Sequence, residues 1–230
     1  MDKRKIVIYV AGKYSGKNSD DVEENVNLAL ATAKKIWELG FTVICPHGNN
    51  HFSHFCSQHG NEVGLEYIDF LTGDKELINR SDGIFLLSNW KDSPGACKEW
   101  QFAEENSIPI FYWLEELSQY EWKEQYIEFR KVVDKMYHLH VQKNKDYSSI
   151  NILGAGIKGV VIRLWDKVCR LMNLVGFKVE VTFLDKGRIK AIFSPGNEKK
   201  AGNEPEEDSW LDAAVYSIIG LLVRREKWGK

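Results

Sequence analysis

The stretch "IVIYVAGKYSGKNSDD", residues 6–21, decides the fold. Its start, with Lys5 (KIVIYV), is a short β-branched run without polar alternation, the mark of a strand covered on both faces. A turn with two glycines follows, and Asp20-Asp21 opens a helical pattern. Val22, Val26, Ala29, Ala33 and Ile36/Trp37 recur at three-to-four spacing until Gly40 stops them. A strand, a glycine turn and a helix could form a phosphate-binding P-loop. That motif needs Gly-x-x-x-x-Gly-Lys-Ser/Thr, so that backbone amides surround phosphate and a hydroxyl reaches Mg²⁺. Counted back from Gly16-Lys17, the first position is Ala11 and the last is Asn18. Two of the four defining positions fail. No apolar run ends in an acidic residue suited to Mg²⁺, since Asp82 precedes its strand. The turn serves another purpose.

Outward from this unit, strands and helices alternate. Phe41–Cys45 reads as a second strand ended by Pro46, and a polar loop follows. Residues 65–80 read as a helix, DGIFLLSN as a third strand, SPGACKEWQFAEEN as a helix and IPIFYW as a fourth strand. This order predicts an α/β domain with a parallel sheet wound on both faces. After Leu114 the pattern changes. Residues 119–143 read as one long helix. Residues 157–176 read as another, with Ile157, Val160/Val161, Leu164, Val168 and Leu171 on one face. VEVTFLDKGRIKAIF reads as a hairpin turning at Asp185-Lys186-Gly187. Residues 195–207 form a polar loop, and a last helix from Asp208 carries Leu211, Val215, Ile218 and Leu222. The expected domains are 1–117, α/β, and 118–230, smaller and mainly helical with a β-hairpin insertion.

The chain has 230 residues, 43% of them hydrophobic, and a net charge of −2. A core is within reach, and neither nucleic acid nor an anionic membrane is broadly attracted. No apolar run approaches the roughly 20 residues of a membrane helix, and the N-terminus reads as a strand rather than a signal peptide. Cys45, Cys56, Cys97 and Cys169 are scattered without a CxxC pair, which suits free thiols in a cytoplasmic protein.

The strand ends carry further polar groups: Tyr9 and Ala11-Gly12-Lys13-Tyr14, then Asp74 and Asp82, then Trp90, Ser93-Pro94-Gly95-Ala96 and Glu99. On these residues, over about 5–115, the chain resembles the nucleoside 2-deoxyribosyltransferase superfamily, including its nucleotide N-glycosidases and the phage and bacterial proteins grouped as DUF4406. The resemblance implies a flavodoxin-like fold. It makes Glu99 the nucleophile at the sugar C1′, Tyr9 the hydroxyl that orients it, and Asp74 the proton-handling acid. Gly12 and Tyr14 match the turn against the substrate. Deoxyribosyltransferases have an aspartate six residues before the glutamate. Here that place is Ser93, which favours nucleoside monophosphates through a 5′-phosphate contact. The family's members are oligomers whose sites a neighbour completes, so at least a dimer is expected.

Chemistry points the same way. Breaking a C–N glycosidic bond develops an oxocarbenium-like sugar, which one carboxylate stabilises or traps while a second acid protonates the leaving base. A helix starting near Ser93 offers Ser93 and the Gly95 amide as a phosphate seat. Tyr9, Gly12, Lys13, Ser88, Trp90 and Ser93 fall at or beyond the carboxyl ends of strands, where such sheets bind ligands. The residues by themselves leave alternatives open: Glu99 as a solvated helix carboxylate, Asp74 as a helix cap, Tyr9 as core. His47, His51, His54, Cys56 and His59 crowd one loop, but their spacing fits no familiar zinc module. No metal is assigned there, and His47 is read as substrate-facing. The chemistry requires no cofactor.

In the second half, Lys143-Asn144-Lys145-Asp146-Tyr147, the run Arg163–Leu171 and the run Asp208–Tyr216 resemble the nucleotide modification associated domain (DUF1599), itself similar to MazG-type NTP pyrophosphatases. Asp208 and Asp212 share a helix face. With Asp146, Arg163 and Asp166 they could hold a nucleotide or Mg²⁺. They could equally form an interhelical salt-bridge network with Lys167 and Arg170. The sequence thus predicts a nucleotide-processing enzyme whose first domain needs no cofactor, acting on the N-glycosidic bond of a (deoxy)nucleoside 5′-monophosphate. Sequestration of a nucleotide, cleavage of NAD, or pyrophosphatase chemistry in the second half are the alternatives.

Overall fold

The central strand β1 (Val7–Ala11) is flanked by β2 (Thr42–Ile44) and β3 (Gly83–Leu86), and β4 (Ile110–Phe111) lies outside β3. The sheet order is β2-β1-β3-β4 and every pairing is parallel. The computed structural model describes residues 2–49, 67–146, 152, 154–184, 188–202 and 205–229. They divide into two units, Met1–Glu128 and Phe129–Lys230.

The strand sequence alternates between two cores. Ile8 and Val10 of β1, with Phe85 of β3 and Leu87 beyond it, face the core that receives Ala29, Ala33 and Ile36 of α1 (Ser19–Glu38). Tyr9, Ala11, Ile84 and Leu86 face the opposite core, with Ile78 of α3 (Tyr67–Asn79) and Ala103 of α4 (Pro94–Glu105). A period of two places successive residues on opposite faces. This is the flavodoxin-like arrangement expected, with helices on both faces. A short α2 (Pro46–Asn49) follows β2. The chain leaves β1 toward β2 and later crosses back to β3. The crevice outside the carboxyl ends of β1 and β3 is therefore the topological switch point.

The turn after β1 is a capped helix start. The Asn18 side chain accepts from the Asp21 amide at 2.8 Å, and Asp21 Oδ2 accepts from the Lys17 amide at 2.8 Å. The amide a P-loop would turn to phosphate is held by the chain's own carboxylate. Asn25 donates to the carbonyls of Tyr14 and Ser15, and Asn89 ties Asn25 to the Lys13 amide.

The long helix expected over 119–143 is α6 (Glu124–Asp146), which starts five residues later than expected and is preceded by a short α5 (Leu114–Gln119) that the sequence reading did not separate. Tyr120 is extended, and its ring and that of Trp122 pack on Phe111 at 5.2 and 6.0 Å. Trp122 and Ile127 lie against the first core, which carries the first unit past the boundary read near 117. IPIFYW contributes only Ile110–Phe111 as strand.

In the second unit α7 (Gly156–Leu174) packs on α8 (Glu206–Arg224), around Val160, Ile219 and Trp228. Ile219 is buried where the sequence pattern pointed to Ile218, because the face turned inward is the one that also carries Val215 and Tyr216. The strands β5 (Phe177–Phe183) and β6 (Ile189–Pro195) pair antiparallel. Their turn at 185–187 lies outside the described residues.

Candidate functional site

Tyr9 fixes the site. It is fully buried in β1 and points to the face covered by α3 and α4. There its hydroxyl donates to Glu99 Oε1 at 2.9 Å. Glu99, on α4, is only 7% exposed, an uncommon place for a carboxylate without a cation beside it. Asp74, inside α3 and not at its cap, lies near enough to the same tyrosine for the two groups to shift each other's titration. One strand and two helices thus bring together three groups spread from residue 9 to residue 99.

Burial first, and then the charge of Asp74, push Glu99 from the ordinary 4.5 up to about 7, against the opposing pull of the Tyr9 hydroxyl. Burial also raises Asp74, again opposed by Tyr9. The phenol of Tyr9 is pushed well above its usual value, by burial and then by the two carboxylates. It therefore remains a donor at neutral pH. Two carboxyl groups in one apolar pocket resist double ionisation, so they titrate as a pair.

The pair opens into a cavity of about 570 Å³, lined among others by Gly12, Tyr14, His47, Ser93 and Gly95. Its volume falls in the range of small-molecule sites. Gly12 is required by close approach: a Cβ there would lie 2.4 Å from Leu87 Cδ1 and 2.8 Å from Leu87 Cβ. Ser93 is the N-cap of α4, its hydroxyl oxygen accepting from the Ala96 amide at 3.2 Å. The hydroxyl proton can still be donated outward. The Gly95 amide is one of the first-turn amides for which an α-helix supplies no acceptor.

His47 is buried, and burial lowers its pKa, so it is a neutral imidazole at neutral pH. Its Nε2 lies 3.3 Å from the Lys13 carbonyl, and the ring sits 6.1 Å from that of Tyr14. Lys13 contributes backbone groups and does not line the cavity. Ser88 is exposed, and Trp90 packs against Trp100 and Tyr112, both away from the lining. His51, His54, Cys56 and His59 lie outside the described residues. Among the described residues no group of three or more His, Cys, Asp or Glu side chains is placed to hold a metal ion.

Sequence reasoning passed over Tyr67, Phe70 and Leu71, which line the cavity with Asp74. Their spacing of three, four and seven residues is a helix face, and that pattern was available to find them.

The second-half candidates are placed differently. Asp212 on α8 bonds Lys143 of α6 and Lys167 of α7, each at 2.8 Å. Asp208 lies on the same helix and Asp166 is exposed on α7. Arg163 lines the same cavity as Asp212. Asp146 ends α6, and its side chain lies outside the described residues. No helix among the described residues is long and apolar enough to cross a membrane. No curated protein matches the chain. Residues 6–112, which include the whole parallel sheet and every wall residue named for the Tyr9 cavity, match the family model described as a domain of unknown function (DUF4406).

Proposed function

We propose that the first unit cleaves or transfers the N-glycosidic bond of a (deoxy)nucleoside 5′-monophosphate, with Glu99 as nucleophile. The observation that carries this reading is the buried Glu99 carboxyl, held by the Tyr9 hydroxyl in company with Asp74 at the wall of a substrate-sized cavity. A Glu99 carboxylate oxygen attacks C1′ as the C1′–N bond breaks, and the bond's electron pair leaves with the base. Asp74 delivers a proton to that base. Water then hydrolyses the glycosyl ester, or a second base accepts the sugar.

The reaction needs one ionised and one protonated carboxyl, which a pair sharing one proton provides. In the empty site the raised pKa of Glu99 places much of that proton on Glu99. A sugar developing positive charge at C1′ favours ionised Glu99, and the proton then resides on Asp74. Tyr9 keeps its hydroxyl on Glu99 throughout. The first turn of α4, with the Gly95 amide, the Ser93 hydroxyl and the positive end of the helix dipole, seats the 5′-phosphate. We further propose that the protein assembles at least as a dimer, which sedimentation would test.

The test is incubation of the full chain with ribo- and deoxyribonucleoside 5′-monophosphates, followed by chromatography for free base. Release that disappears in Glu99→Ala is the expected result. Absence of base from every nucleotide, with intact nucleotide recovered from the denatured protein, would replace the enzyme by a binding protein.

A further inference from the structure

The second unit holds a cavity of about 420 Å³ where α6, α7 and α8 meet. The sequence marks this place by its carboxylates, which suggest Mg²⁺. The side chains give it another character. Each oxygen of Asp212 faces an ammonium group, Oδ1 to Lys143 Nζ and Oδ2 to Lys167 Nζ, both at 2.8 Å. A divalent cation approaching Asp212 would have to displace both lysines and would be repelled by them. Arg163 adds a third cation to the wall and makes no ion pair with another described residue. Against three positive charges stand Asp212 and, farther along α8, Asp208, whose charge reaches Lys143. The balance is positive. His140, neutral because burial lowers its pKa, does not change it.

We infer that this cavity is an anion site for a phosphate or diphosphate group, bound without a divalent metal, in which Asp212 orients Lys143 and Lys167 and Arg163 completes the charge. Lys143 and Lys167 come from different helices and converge on one carboxylate, so they are positioned before the ligand arrives. Such pre-positioning reduces the ordering cost of binding. A lysine shared between a carboxylate and a phosphate keeps donors for both, because an ammonium has three. Tyr216 and Trp228 line the same cavity, so the phosphate could stand alone or belong to a molecule with a flat ring.

Calorimetry of the full chain with inorganic pyrophosphate and with a nucleoside diphosphate, each in EDTA, tests the inference. Both probes are expected to bind without metal. Equal affinities assign the site to the phosphates alone, and tighter nucleoside diphosphate binding assigns it to a nucleotide. Lys143→Gln, at a half-exposed position, is expected to weaken either probe by about tenfold. Asp212→Asn is expected to preserve or strengthen binding, the reverse of a metal site. Lys34→Gln, which removes an exposed cation of α1 in the other unit, should leave pyrophosphate binding unchanged. Binding that requires Mg²⁺, that is lost in Asp212→Asn, or that is indifferent to Lys143→Gln would overturn the assignment, as would no binding at all. Each readout is independent of base release by the first unit.

Discussion

Glu99 and Asp212 are both carboxylates on helices that border cavities, and their surroundings drive them in opposite directions. Glu99 has a tyrosine hydroxyl, a second carboxyl and apolar walls, and its pKa rises to about 7. For Asp212 burial alone would raise the pKa, but the hydrogen bonds and charges of Lys143 and Lys167 outweigh it, and the pKa falls. The first arrangement costs stability and leaves a carboxylate available to a cationic partner. The second satisfies the carboxylate internally and leaves its lysines to act on an anion. Strong perturbation by burial and a like charge is the pattern of a reactive carboxyl, whereas pairing with two lysines is the pattern of a carboxylate that positions its neighbours.

The sharpest way to break this contrast is activity. Glu99→Ala is expected to lower base release by about a thousandfold or more, while Asp212→Ala leaves it within about twofold, measured by chromatography. Stability comes next, and the signs should differ. Folded Glu99 binds protons more tightly than unfolded Glu99, so its contribution is most favourable below pH 4.5 and declines as pH rises to about 7. Glu99→Gln should therefore stabilise the first unit by about 3 kcal/mol at pH 8, with no such gain at pH 4, in denaturant titrations. Tyr9→Phe removes the hydroxyl that opposes burial, so Glu99 ionises at higher pH. The acid limb of the base-release profile should move alkaline, with a loss of about tenfold at pH 6. The smallest effect belongs to Asp212→Asn. Its lysines are partly exposed, so the loss should be about 0.5–1 kcal/mol at neutral pH. That contribution is present above the unfolded aspartate pKa and is lost as pH falls through the depressed folded value. The cost of the substitution should vanish in strong acid.

The two sites differed as much in legibility. The β-branched run of β1 and the spacing of α1 specify their elements locally, because a doubly covered strand and an amphipathic helix each leave a periodic mark. Tyr9, Asp74 and Glu99 were singled out by their order on strand and helix ends, yet nothing local said that both acids would converge on one phenol. That depends on the packing of α3 and α4 on the same face. The late start of α6 was invisible for the same kind of reason, since Tyr120 and Trp122 stay out of the helix to reach Phe111, a tertiary contact. Asp212 was noted as an acid beside another acid. Its partner Lys143 is 69 residues away on another helix, and only the meeting of three helices makes the pair.

The alternation along β1 links folding to the site. Ile8 and Val10 face one core, Tyr9 and Ala11 the other. An insertion or deletion of a single residue ahead of Tyr9 would exchange the two sets, sending the phenol toward α1 and an aliphatic chain toward the acids. Formation of the Tyr9–Glu99 site and correct folding of the sheet are consequently inherited as one trait. A lineage cannot drift to a neighbouring alignment of this strand and keep the buried acids paired with their phenol.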